Sequence, residues 1–233
     1  MRVLSIILFV GLAISASAQT SPLVRQSFEK GTRLARAGQY ETALESYRQS
    51  LLLAEAEKKD DDFLAKIHYN IGVCLYQLQG KAAAVREFTE AVKLSRREYQ
   101  KAFYALGIAQ KELKSWRKSE SAFRDALKLK ESDGETWFDL AFIYLGEENY
   151  ESAENAFQNA VKYKSVSHAD AHNNLGVIFA LREDFSAAET EFKIALKESA
   201  GNSIEARNNL LFCKAYRQNQ NSKLLSKLVF SSR

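Results

Sequence analysis

Apolar and small residues recur along this chain at helical spacing, nested inside a longer period. Within 134–167, Trp137, Leu140, Ala141 and Tyr144 stand at intervals of three and four, which predicts an amphipathic helix. A polar break, Gly146-Glu147-Glu148-Asn149, precedes a second stripe of Tyr150, Ala153, Phe157 and Ala160. Positions 169–202 repeat the scheme with His172, Leu175, Gly176 and Phe179, then Phe185, Ala188, Phe192 and Ala195. Small residues stand at Gly31, Gly72, Gly107, Ala141 and Gly176, and each is followed sixteen positions later by an aromatic: Tyr47, Phe88, Phe123, Phe157 and Phe192. Three positions further on comes a second small residue: Ser50, Ala91, Ala126, Ala160 or Ala195. Two helices approach closely only where a small side chain faces a large one, so each unit reads as a packed helix pair. From Gly72 onward the period is 34 to 35 residues, the signature of a stacked helical array.

The pattern resembles the tetratricopeptide repeat family. Ile71-Gly72, Leu75, Ala84, Phe88 and Ala91 carry the resemblance in the second unit, and Phe103, Leu106-Gly107, Trp116, Ser119, Phe123 and Ala126 in the third. The first unit offers Gly31, Leu34, Gly38, Tyr40, Ala43, Tyr47 and Ser50. Five units are placed at about 24–57, 65–98, 100–133, 134–167 and 169–202, and the resemblance implies an all-α, right-handed solenoid. Two departures stand out. The family's proline near the end of each repeat is replaced by Glu55, Arg96, Glu131, Ser165 and Ala200, and Gly31 and Gly72 lie 41 residues apart. The surplus falls around Glu57-Lys58-Lys59-Asp60-Asp61-Asp62, where either an extended helix or a charged loop is expected. Residues 203–233 are expected to cap the last unit: Ile204, Ala206, Leu210 and Cys213 continue the apolar stripe. Leu224, Leu225, Leu228 and Val229, flanked by Lys223 and Lys227, read either as a second capping helix or as a helix for a membrane surface or partner.

Residues 1–18 have the three-part layout of a secretory signal peptide: basic Met1-Arg2, apolar Val3 to Ala13, and small Ala16-Ser17-Ala18 before Gln19. The apolar run is short for a membrane span, so the expected location is periplasmic or secreted; the alternative is an N-terminal helix that stays buried or anchored. Export leaves the charge almost untouched, since Arg2 is the only charge removed and +4 becomes +3. So small an excess, spread over mixed charges, argues against nucleic acid as a partner. Cys74 and Cys213 lie in units that are not neighbours, too far apart for an internal bridge, and read as buried apolar residues; an intermolecular bond is the alternative.

Chemistry-bearing constellations are sparse. His168 and His172 share a helical face with Asp170 nearby, but no further Cys or His completes a metal set, and His172 occupies a packing position. The glycines mark helix packing and not a phosphate loop, and no nucleophile motif stands out beyond the common string Ser115-Trp116-Arg117-Lys118. No catalytic residue, metal or cofactor is therefore expected. Function is placed in the concave groove that first helices line in the resembling family. The residues implied there are Phe28, Lys66, Tyr69, Asn70, Tyr76, Lys101, Tyr104, Phe138, Phe142 and Asn174. Phe28, Tyr69, Tyr104 and Phe138 form a ladder that reads equally as ligand recognition or as helix packing. Amides at Asn70, Asn174 and Asn208, with Asp139, are suited to fixing the backbone of an extended peptide. Of the family's carboxylate-binding set only Asn70 and Lys101 match, with Phe28, Thr32 and Ala105 at the other positions, so recognition of a free C-terminus is not expected. The expected function is a non-catalytic protein-interaction scaffold that binds a peptide or helix. The alternatives are a homo-oligomeric envelope scaffold using the basic tail and, less favoured, a metal or catalytic role.

Overall fold

A computed structural model describes residues 21–165, 168–219 and 226–231. The described residues form eleven helices in sequence. These are α1 (Pro22–Arg36), α2 (Tyr40–Ala56), α3 (Asp61–Gln77), α4 (Lys81–Leu94), α5 (Gln100–Glu112), α6 (Trp116–Leu129), α7 (Gly134–Gly146), α8 (Tyr150–Lys162), α9 (His168–Leu181), α10 (Phe185–Glu198) and α11 (Ile204–Asn219). Each helix packs on its sequence neighbours, and odd-numbered helices also meet along one side: α3 touches α5, α5 touches α7, and α9 touches α11. This is an all-α solenoid of helix pairs in which odd helices α3, α5 and α7, and again α9 and α11, meet one another. The proposed signal segment, residues 1–18, lies outside the described residues.

The small-to-large pairing read from the sequence sets the distance within each pair. A Cβ placed on Gly107 would sit 2.5 Å from the Phe123 ring, and one on Gly72 would sit 2.6 Å from Phe88. Neither helix could come this near its partner with a methyl group in the way. Phe123, Phe157 and Phe192 are each wholly buried, as is Ser119, whose hydroxyl donates to the Gly107 carbonyl at 2.8 Å across the pair.

The surplus between the first two units is absorbed as helix. Both α2 and α3 run 17 residues where α4 to α10 run 13 or 14. Asp60 caps α3, accepting from the Phe63 amide at 2.8 Å, so its side chain satisfies a donor the helix cannot. The turns inside the later units each rest on one left-handed residue that is not glycine: Gln79 at φ 62°, Lys114 at 56°, Glu148 at 56° and Glu183 at 63°. Each lets the next amide reach a carbonyl one turn back, as when Ser115 N–H donates to Gln110 O at 2.9 Å.

Gly107→Ala is expected to destabilise the fold by about 1–3 kcal/mol through overpacking against Phe123. The matched Gly146→Ala, which meets nothing within 4 Å, should leave the melt nearly unchanged. Phe123→Ala should cost about 3–5 kcal/mol, as for other buried aromatics. Chemical denaturation of the three variants checks all of this.

Candidate functional site

The odd-helix layer changes character from its N-terminal to its C-terminal end. At the first end Phe28 is half-buried, edge-on to Tyr47 with centroids 5.5 Å apart and tilted against Phe63 at 5.5 Å. Tyr69 leans on Phe88 at 5.9 Å and on Tyr99 at 5.1 Å. Burial raises the phenol of Tyr69 and pushes that of Tyr99 up to about 12, so both stay protonated near neutral pH. Tyr76 is raised too, first by burial and then by Glu112. Lys66 and Lys101 are exposed. Asn70 spends its amide on its own helix, donating to Lys66 O at 2.7 Å, while its oxygen lies 3.4 Å from the Tyr47 hydroxyl.

In the middle, α5 and α7 share a polar knot. The Tyr104 hydroxyl donates to one Asp139 oxygen and the Lys111 ammonium to the other, both at 2.8 Å. Asp139 is therefore engaged within the fold, where the sequence pattern offers it to a peptide. Phe138 corrects the expected ladder: it is wholly buried, edge-on to Phe142 at 5.2 Å and to Phe157 at 5.6 Å, so it belongs to the core. Phe142 is half-buried against the same rings.

At the C-terminal end three asparagines converge, and they already hold a peptide. Asn174 and Asn173 come from α9 and Asn209 from α11, all with no exposed surface. Residues 228–231 of the same chain run past them outside any helix, and the engagement of alternate residues, Val229 and Ser231, on one side marks an extended course. Asn209 accepts from Val229 N–H at 3.0 Å and donates to Val229 O at 2.7 Å. Asn174 does the same for Ser231, accepting at 2.7 Å and donating at 3.0 Å. Asn173 donates to Ser231 Oγ at 3.0 Å and accepts from Asn209 at 2.9 Å, tying the two clamps together. Between the clamped residues, Phe230 packs against two buried clusters, that of Phe138 and Leu175 and that of Val177 and Phe192.

Two readings of the tail change as a result. Asn209, one position beyond the Asn208 suggested by the sequence, is the inward amide, and Asn208 is exposed. The doublets Asn173-Asn174 and Asn208-Asn209 recur at the repeat spacing, a signal the pattern contained. The described part of the predicted tail helix, residues 226–231, is one short turn followed by extended chain, with Leu228 packed on the core; Leu224 and Leu225 lie outside the described residues.

The remaining candidates are engaged in packing. His172 pairs with Glu191 at 2.6 Å, and its ring meets that of His168 edge-on at 4.9 Å. No cluster of three or more metal-ligating side chains occurs among the described residues. Cys74 and Cys213 are buried, and burial pushes both thiols up to about 11. An open outer cleft of about 630 Å³ uses the face of α7 that carries Trp137, Leu140 and Tyr144, not the face carrying Phe138 and Phe142.

Asp139→Ala is expected to lower stability by about 1–3 kcal/mol, because two donors lose a buried acceptor. Lys111 keeps 24% of its side chain in water, which holds the loss below that of a fully buried pair. Thermal melting reads the effect.

A family model described as tetratricopeptide repeat matches residues 28–102 and 138–203, together more than half of the chain. Solved structures with the same fold include MamA from Desulfovibrio magneticus RS-1, 22% identical over 79% of this chain and 100% of that one, with a TM-score of 0.66. YrrB, described as a TPR protein with an unusual peptide-binding site, is 22% identical over 81% of this chain and 90% of its own, at 0.63. A tetratricopeptide repeat protein from Parabacteroides merdae ATCC 43184 is 18% identical over 88% and 77%, at 0.69. No match is found among curated proteins. Proteins of this fold generally mediate protein–protein interactions and are generally non-catalytic. With the repeat signature, the helix-pair solenoid and the matched residues in agreement, the chain belongs to the tetratricopeptide repeat family.

Proposed function

We propose that this protein is a non-catalytic interaction module that captures an extended peptide segment of a partner protein along its odd-helix groove, in an extracytoplasmic compartment. The observation that carries the reading is the asparagine clamp. Side-chain amides that pair with both N–H and C=O of one residue do for a peptide what a neighbouring β-strand would do, independently of its side chains. Exposed Lys66 and Lys101, beside half-buried Tyr69, Tyr76 and Tyr104, extend that surface toward the first repeats and favour a partner with acidic and apolar residues. The peptide-binding site in the description of YrrB is consistent with such a use of this fold. Location rests on the signal-like residues 1–18.

Tyr69 and Tyr104 pack against Phe88 and Phe123, so replacing them would disturb the fold together with any binding. The exposed lysines separate the two effects. Affinity capture by wild type and by Lys66→Glu/Lys101→Glu is expected to differ at least about tenfold in recovered partner, with the melting curve unchanged. Equal recovery on both would clear this end of the groove. For location, N-terminal sequencing of the exported chain should begin at Gln19, and a chain retained with Met1 in the cytoplasm would refute export.

A further inference from the structure

The asparagine site is not open to solvent; the chain fills it with its own residues 228–231. Asn173, Asn174 and Asn209 have no exposed surface, and Asn174 and Asn209 together hold four backbone hydrogen bonds to Val229 and Ser231. Buried amides without partners are costly, so once the tail leaves, the site must take up either water or another backbone that offers the same N–H and C=O groups. The four bonds from Asn174 and Asn209 are generic, because they read main chain, and Asn173 adds one to the Ser231 hydroxyl. Phe230, set between the two clamped residues, supplies a large side chain to both core clusters, and Leu228 packs on one of them. Val229 remains half-exposed at 50%, and the array is already closed by α11, whose Ala206 and Cys213 are fully buried. The tail is thus bound in the manner of a ligand that belongs to the same chain.

We propose that residues 226–231 are a built-in competitor for the groove. The site takes a partner's extended segment that carries an aromatic residue followed by a serine or other small residue, with no proline at the two clamped positions, and takes it only by displacing the tail. This rests on the peptide-capture reading above. Each clamped residue must offer an N–H, as Val229 and Ser231 do, which excludes proline. The aromatic fills the place of Phe230, and the small polar residue meets Asn173 as Ser231 Oγ does. A tethered competitor lowers the apparent affinity of an outside peptide by the fraction of time the site is free, so occupancy above about 90% weakens binding more than tenfold.

A fluorescein-labelled, amidated peptide with the sequence of residues 226–231 supplies the test, using the full chain throughout. Wild type should bind it weakly by anisotropy, and Phe230→Asp, which unseats the tail, at least about tenfold more tightly. Adding Asn174→Ala to Phe230→Asp should remove that gain, with circular dichroism checking that both variants stay folded. Equal binding to wild type and Phe230→Asp, or binding that survives Asn174→Ala, overturns the proposal, and so does no binding to a folded Phe230→Asp chain.

Hydrogen exchange on the wild type keeps the question decidable if the variants unfold. The Val229 and Ser231 amides should exchange at least about tenfold faster than α9 core amides, through release of the tail alone. Exchange only at the global unfolding rate would make the tail a permanent part of the fold. The peptide assay needs no partner, so the two readings fail separately. Tight peptide binding by Phe230→Asp without any partner capture overturns the function but not the competitor. Partner capture equal in wild type and Phe230→Asp overturns the competitor alone.

Discussion

The contact between a small residue on one helix and an aromatic ring on the next sets the geometry of everything else. Phe123 reaches Gly107 so closely that a single methyl group would collide with its ring, and Phe88 and Phe192 meet Gly72 and Gly176 in the same way. This contact fixes how far apart two helices of a pair lie, and repetition at near-constant spacing makes every pair nearly the same object. Odd helices then have no choice but to lie side by side. The groove is a consequence of the stacking and needs no separate instruction.

That constraint is strong enough to override local preference at the turns. Gln79, Lys114, Glu148 and Glu183 adopt left-handed backbone that L-residues avoid by roughly 1–2 kcal/mol. The helices they join are held by buried rings, and the connecting residue accepts the conformation that closes the gap. The same logic explains the first two units. Extra residues became additional helix in α2 and α3, because a capped helix satisfies its backbone more completely than an exposed loop would.

Along the groove, side chains of one kind serve two ends. Tyr69 and Tyr104 stay half-buried while resting on Phe88 and Phe123, and Phe138 is drawn wholly inside. Asp139 and Asn70 are absorbed by polar contacts within the solenoid. Where α9 meets α11, by contrast, three buried amides converge on a main chain that is not part of a helix. There the interior is polar because its occupant is a peptide backbone, whose N–H and C=O groups must be matched once water is excluded.

The helix pairs, their small-to-large contacts and the family were legible in the sequence, because the spacing of Gly72, Phe88 and Ala91 recurs and local pattern dictates local packing. The direction of individual groove residues was not. Phe138 and Tyr104 occupy equivalent positions, yet one is core and the other half-exposed, since neighbouring repeats decide how much of each ring is covered. Asn208 and Asn209 are adjacent, and only the way α11 settles on α9 turns the second inward. The tail, a short run of apolar residues among lysines, carries a pattern compatible with a helix. Its extended course follows from three amides brought together from distant positions, a long-range arrangement that no stretch of sequence contains and that only the folded solenoid creates.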